Sequence, residues 1–268
     1  MNAAVFTVAL LLGALAFVVA ERLRPWRAGQ RQRRPGLGSD LLFLGFNVFV
    51  VGVSLVALLR GVVLPQLDRG CAYLGVAPPL RGLAAGWPLA AQLLVAILAM
   101  DLAQWGLHRL MHRVPFLWEL HKVHHSVLDR EMDWLASLRF HWGEQLVYTV
   151  LHCLPLAFLG FSETAIRADS LLGLLWGYLN HANLDLGRGP WRYVFNNPRM
   201  HLWHHADAAR PVNFGIVFSL WDWLFGTARM PEEPPERLGF TGIEAFPRGF
   251  WRSLSWPLRR GGRAPPVG

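Results

Sequence analysis

The stretch "HRLMHRVPFLWELHKVHHS", from His108 to Ser126, holds five histidines in nineteen positions, and "HLWHH" at His201, His204 and His205 repeats its ending. His108 and His112 stand four apart, so on a helix they share a face. Pro115 starts a second helix afresh, because proline breaks a helix from within. On that second helix His121, His124 and His125 fall at i, i+3 and i+4. The third triplet has the same spacing. What three stripes of imidazole can do depends on where the rest of the chain puts them.

The rest of the chain is apolar. Of 268 residues 53% are hydrophobic and 16% charged, and the mean hydropathy is +0.27. Three runs are long enough to cross a hydrocarbon core: Ala3–Ala20, about Leu41–Leu64 and about Pro88–Leu107. A weaker region, Gln145–Leu179, is broken by "GFSETAIRADS" and reads as a hairpin of two short helices. The fold class is therefore an all-α integral membrane protein.

Although "VVA" before Glu21 looks like a cleavage site, no basic segment precedes the first run, which reads as a span and not a signal peptide. Arg22, Arg24, Arg27, Arg31, Arg33 and Arg34 follow it, so the positive-inside rule puts that loop in the cytoplasm and the amino terminus outside. Span two then leads out and span three back in. Every dense histidine motif lands on the cytoplasmic face, in a helical cap. Lys122 is the only lysine, a usage that suggests a GC-rich bacterial genome and hence a bacterial inner membrane.

The net charge of +8 is explained by arginines at span ends, which meet anionic lipid. No soluble basic module exists to bind nucleic acid. Cys71 and Cys153 are too differently placed to pair. The chain divides into spans and loops over 1–100, a histidine-bearing domain over 101–227, and a Pro/Arg-rich tail over 228–268. That tail reads as interfacial or disordered and carries no chemistry.

A single histidine such as His152, inside "YTVLHCLPL", reads as an ordinary packed side chain. Eight in three motifs do not. Protonated, they would repel one another; neutral, they would need partners. A metal removes both problems, since the neutral imidazole binds zinc, copper, iron or nickel. The hydrolytic H-E-x-x-H signature is absent, for Arg109, Lys122 and Leu202 stand where its glutamate would be. Eight nitrogens exceed one tetrahedral zinc and suit two metals with open positions. A bis-histidine haem wants separated histidines on facing spans. Soluble di-iron sites use Glu-x-x-His, which is missing. A nitrogen-rich, two-metal site in a membrane favours redox chemistry.

Asp101, Gln104 and His108 fall at i, i+3 and i+7, on one face at the end of span three. A carboxylate in a span is costly and functional by default. Asp101 is expected to accept the free N–H of a ligand imidazole, with Gln104 and Asn183 as further supporting candidates and Asn197 and Asn213 as supporting or turn residues. Glu119, Glu144, Asp185 and Asp207 read as surface or interhelical partners.

"HRLMH", "HKVHHS" and "HLWHH" resemble the three histidine boxes of the fatty acid hydroxylase superfamily, also called the sterol desaturase family. The similarity runs from about Asp101 to Thr227. It includes "PFLWELHKVHHS", "RFH" ending at His141, "NHANL" around His181, and "NFGIVFSLWDWLFGT" from Asn213. The resemblance implies two non-haem iron ions and dioxygen as co-substrate. With two electrons these would oxidise an unactivated C–H bond of a lipid: a sterol, a fatty acyl chain or a relative. Carried over position by position, the boxes assign His108, His112, His121, His124, His125, His201, His204 and His205 as ligands. Two further family positions fall on His181 and on His141, where Trp142 follows in place of the family's frequent proline.

Hydroxylases, desaturases and ether-lipid monooxygenases share these boxes. The "HKVHHS" and "NHANL" contexts resemble the hydroxylases, which favours hydroxylation over desaturation. No flavin, nicotinamide or haem module is legible, so electrons are expected from a separate ferredoxin or cytochrome. A metal transporter would also collect histidines, yet here they crowd one face and no polar file crosses spans one and two.

Overall fold

All three apolar runs form long helices in the computed structural model, which describes residues 1–31, 33–76, 80–127, 132–208 and 210–256. Helix α1 spans Ala3–Leu23, and the Asn2 side chain caps it by accepting from Val5 N–H at 2.9 Å. Its outer face leaves Val8, Leu11, Leu12 and Leu15 exposed, as lipid contact requires. Its inner face packs so closely that a Cβ on Gly13 would stand 2.3 Å from Leu175. Small residues permit such approach between membrane helices.

Helix α2 is continuous from Leu37 to Tyr73, 37 residues, or about 55 Å, against roughly 30 Å of hydrocarbon. It thus takes in "PQLDRG", beyond the Leu64 end read for the second apolar run. Pro65 has no N–H to give and crowds the carbonyl four residues back. The wide π-helical turn at Leu59–Val63, immediately before it, accommodates both demands. Helix α3, Leu89–Arg113, carries the first histidine pair at its end. Val114 then turns extended, and α4 begins at Pro115, as expected of an N1 proline, and runs to His125.

Helices α5 (Trp142–Phe158) and α6 (Glu163–His181) form the hairpin. They are not short. At 17 and 19 residues they reach about 25 and 29 Å. The hairpin tip lies beside the start of α3, where Ala84 N–H donates to Leu159 O at 2.8 Å and Ser162 N–H to Gln92 Oε1 at 2.8 Å. Its other end, with His141 and His181, lies at the histidine end of α3. Helix α7 (Pro198–His204) carries the third triplet under an Asn197 cap, and α8 (Leu220–Leu224) follows a tight loop.

Part of the segment beyond residue 228, read as interfacial or disordered, is packed in. Phe246, Phe250 and Leu254, the last two on α9 (Phe250–Leu254), join Phe43 and Val123 in one core cluster. Residues 257–268 of that tail lie outside the described residues. Among the described residues there is no strand, only three isolated bridges. The molecule is an all-helical bundle with three helices long and apolar enough to cross a membrane, and a cap at one end.

Candidate metal centre

At that end nine of the eleven histidines converge. His108, His112, His121, His125 and His204 form one group, and His124, His181, His201 and His205 a second. Within each group the ligand atoms all lie within 4.8 Å of one another. The inward atoms are Nε2 throughout. In the first group His108 and His121 stand 3.2 Å apart, His121 and His125 3.2 Å, His125 and His204 3.1 Å. In the second, His181 lies 3.2 Å from His124 and 3.1 Å from His201, which lies 3.1 Å from His205. Stacked rings join the groups, with His125 over His205 at 4.3 Å and His121 over His124 at 5.2 Å between centroids.

The tautomers follow from the outward nitrogens. Nδ1 of His108 lies 2.8 Å from Phe214 O, that of His204 2.8 Å from Val212 O, and that of His181 2.8 Å from Gly177 O. A carbonyl only accepts, so Nδ1 holds the proton and Nε2 presents a bare lone pair to the centre. Several bare lone pairs aimed at one volume repel unless a cation sits among them. Burial, and after it the repulsion between neighbouring imidazoles, holds His121, His124, His125, His201, His204 and His205 well below the usual imidazole range. Neutral rings are the ligand form. The residues present therefore fit a pair of nitrogen-bound metal ions.

The supporting side chains differ from the sequence expectation. Asp101 touches no imidazole. Its carboxylate accepts from Val217 N–H at 2.8 Å, Phe218 N–H at 3.0 Å and Trp221 Nε1 at 2.9 Å. Gln104 bonds none of the nine converging imidazoles, its Nε2 2.8 Å from His152 Nδ1. Asn183 anchors the basic segment after α1, accepting from Arg27 N–H at 2.9 Å. The reason is common to all three: loops with open backbone N–H groups and neighbouring side chains compete for these acceptors, and spacing along one helix cannot see them. His141 also stands apart from both groups. Its Nδ1 accepts from Gly143 N–H at 3.0 Å, capping α5, and its Nε2 donates to Leu254 O at 2.8 Å.

Other residues do the supporting. Glu144, fully buried, takes His121 Nδ1 at 2.6 Å. Only its position three residues after "RFH" hinted that it faced the site. Asp222 holds the loop that supplies the two carbonyls, accepting from Phe214 N–H at 2.9 Å and Gly215 N–H at 2.8 Å. Between those carbonyls stands Asn213, at φ 57°, a conformation asparagine tolerates better than most residues. Its side chain bonds Met200 O at 2.7 Å and Arg229 N–H at 2.7 Å, which fixes the loop against α7. Each such buried bond is costly to leave unmade, about 1–3 kcal/mol.

One cavity adjoins the groups, and a second adjoins the first. The first, of about 220 Å³, is lined by His108, His121, His124, His181 and His201, with Gln104 and His152 opposite. The second, of about 580 Å³, lies among α1, α2, α5 and α6 and is walled chiefly by apolar side chains such as Phe6, Leu10, Val53 and Ile166.

The fatty acid hydroxylase family model matches residues 93–227, half of the chain. The chain belongs to the fatty acid hydroxylase family. It is 33% identical over 186 residues to an ornithine lipid hydroxylase of Rhizobium tropici, covering 68% of this chain and 55% of that one. It is 26% identical to an alkylglycerol monooxygenase of Danio rerio, over 71% of this chain and 43% of that one. With cholesterol 25-hydroxylase of Mus musculus the figures are 27% identity, 82% and 73%. The chain thus spans about half the length of the first two relatives. No solved structure matches it. All three relatives' names describe oxygenation of a lipid, and the matched span contains all three histidine motifs.

Proposed function

We propose that this family member is a membrane-bound non-haem di-iron oxygenase that hydroxylates an unactivated C–H bond of a lipid. The observation that carries the reading is two converging Nε2 groups bordering a cavity that continues into a larger, chiefly apolar one. His108, His112, His121, His125 and His204 hold one iron, and His124, His181, His201 and His205 the other. When bound, the irons supply two-electron activation of dioxygen, one atom entering the lipid as hydroxyl and the other leaving as water.

The protein's own part is positional. Glu144 and the carbonyls of Val212, Phe214 and Gly177 fix ring orientation before metal arrives. The apolar walls exclude water from the reacting carbon. Two electrons come from a separate donor of ferredoxin or cytochrome type, docking on the cap. The arginine-rich loop after α1 supports a cytoplasmic cap by the positive-inside rule, and the bacterial relative supports a bacterial inner membrane.

Turnover under isotopically labelled dioxygen with a reconstituted donor tests the reaction. One labelled oxygen atom in the lipid product is the expected result. A product with a new double bond and no label would make the protein a desaturase at the same site.

A further inference from the structure

Two residues that the metal groups do not use lie deep in the helical bundle. Asp169 on α6 is 5% exposed, and His152 on α5 lies beside it, with Nε2 2.7 Å from Asp169 Oδ2. His152 Nδ1 in turn lies 2.8 Å from Gln104 Nε2 on α3. An ionisable pair at this depth is expensive to maintain and marks function by default. The sense of the chain of bonds is determined. The Gln104 amide nitrogen only donates, so His152 Nδ1 accepts and the ring proton sits on Nε2, the atom that lies against the Asp169 carboxylate. Gln104 is thereby held with Oε1 free, one helical turn before the ligand His108. That oxygen has no partner among the described residues.

The same wall offers more unpartnered groups. The Tyr148 and Ser170 hydroxyls border the 220 Å³ cavity and bond to nothing among the described residues. The 580 Å³ cavity adjoins this one along Phe140, Gln145, Thr149, Cys153, Ser170 and Leu174. Its polar residues at the far end, Arg60 and Arg167, are both already paired with Glu163. Polar groups ready for a ligand thus lie beside the histidines, while the outer chamber is apolar.

We propose, building on the oxygenase reading, that this wall is a head-group site. The lipid enters polar end first. An amide, ammonium or hydroxyl donates to Gln104 Oε1, the chain fills the outer cavity, and the C–H bond presented to the irons lies in or next to the head group. Gln104 is the binding residue. His152 and Asp169 are positioning residues that act through it.

The test is equilibrium binding to the purified full chain without reductant, so that nothing turns over. Two probes of equal chain length are compared: N-palmitoyl-ornithine, which carries N–H donors at its head, and palmitate, which has none. Gln104→Met, which keeps the volume, weakens the first about tenfold and the second hardly at all, the loss of one buried hydrogen bond. Asp169→Asn, which leaves His152 without its proton lock, gives the same selective loss at smaller size, and iron content stays at the wild-type value in both.

Equal loss on both probes, or loss on neither, overturns the site. So does the reverse pattern, in which Arg60→Gln weakens the ornithine-bearing probe and Gln104→Met does not, because the head group then lies at the far end. Iron loss in Gln104→Met would return that residue to metal support and overturn the site as well. A wild-type chain that binds no iron yet discriminates between the probes would defeat the oxygenase reading and leave the head-group site standing.

Discussion

The two histidine groups are built alike at their centres and differently behind. In the five-nitrogen group, His108, His121 and His204 have their outer nitrogens engaged by Phe214 O, Glu144 and Val212 O. In the four-nitrogen group, among the described residues, only His181 is so held, and Nδ1 of His124, His201 and His205 is buried without a partner. The first group is oriented by the protein, the second to a larger extent by whatever it binds. The cavity follows the same division, since three of the second group's four rings line it and only two of the first group's five. A rigid half and an adaptable half is what an open coordination position next to substrate requires.

The largest effect expected to break this comparison comes from removing ligands. His204→Ala should lose the metal of the first group and all turnover while the chain still inserts, read by iron analysis and product formation. His201→Ala should do the same for the second group. Because two of its neighbours, His124 and His205, lack backbone restraints, it should also loosen the rings around it, visible as greater heterogeneity in the spectrum of the remaining iron. Full metal content in either variant would remove that histidine from the set.

A smaller effect separates the halves by support alone. Glu144→Gln keeps the shape but weakens the acceptor behind His121, and should lower affinity for one metal by about 10- to 100-fold while sparing the other. Equal weakening of both would mean that Glu144 stabilises the fold and not a particular ring.

The effect that discriminates least between the halves is in pH. The six imidazoles of α4 and α7 and its cap protonate in the folded chain well below the ordinary value of 6.5. Below that value the unfolded chain therefore binds more protons than the folded one. Stability of the metal-free protein is full above about 6.5 and declines as pH falls, by up to about 1.4 kcal/mol per pH unit for each histidine concerned. Denaturant melts of chelator-treated protein from neutral pH downward check this. With metal bound the decline should begin lower, because the metal competes with the proton.

Much of this was legible from residues alone. Apolar runs longer than a bilayer is thick leave only helices as a solution, because every backbone polar group must be satisfied within the segment. Histidines at i, i+3 and i+4 share a face whatever the tertiary arrangement, and Pro115 begins a helix because its ring permits little else. Those facts determined an all-helical membrane protein with imidazole stripes, and the motif resemblance added the family.

What the sequence could not show was anything decided by distance across the chain. The division of nine rings into five and four, with His141 in neither, depends on how α3, α4, α6 and α7 meet. Asp101 looked like a partner for His108 on its own helix, yet loop amides more than a hundred residues later claim both its oxygens. His152 read as packing because its partners, Gln104 and Asp169, come from two other helices. Helical spacing is local and survives any packing, whereas an acceptor bonds whichever donor packing brings within about 3 Å.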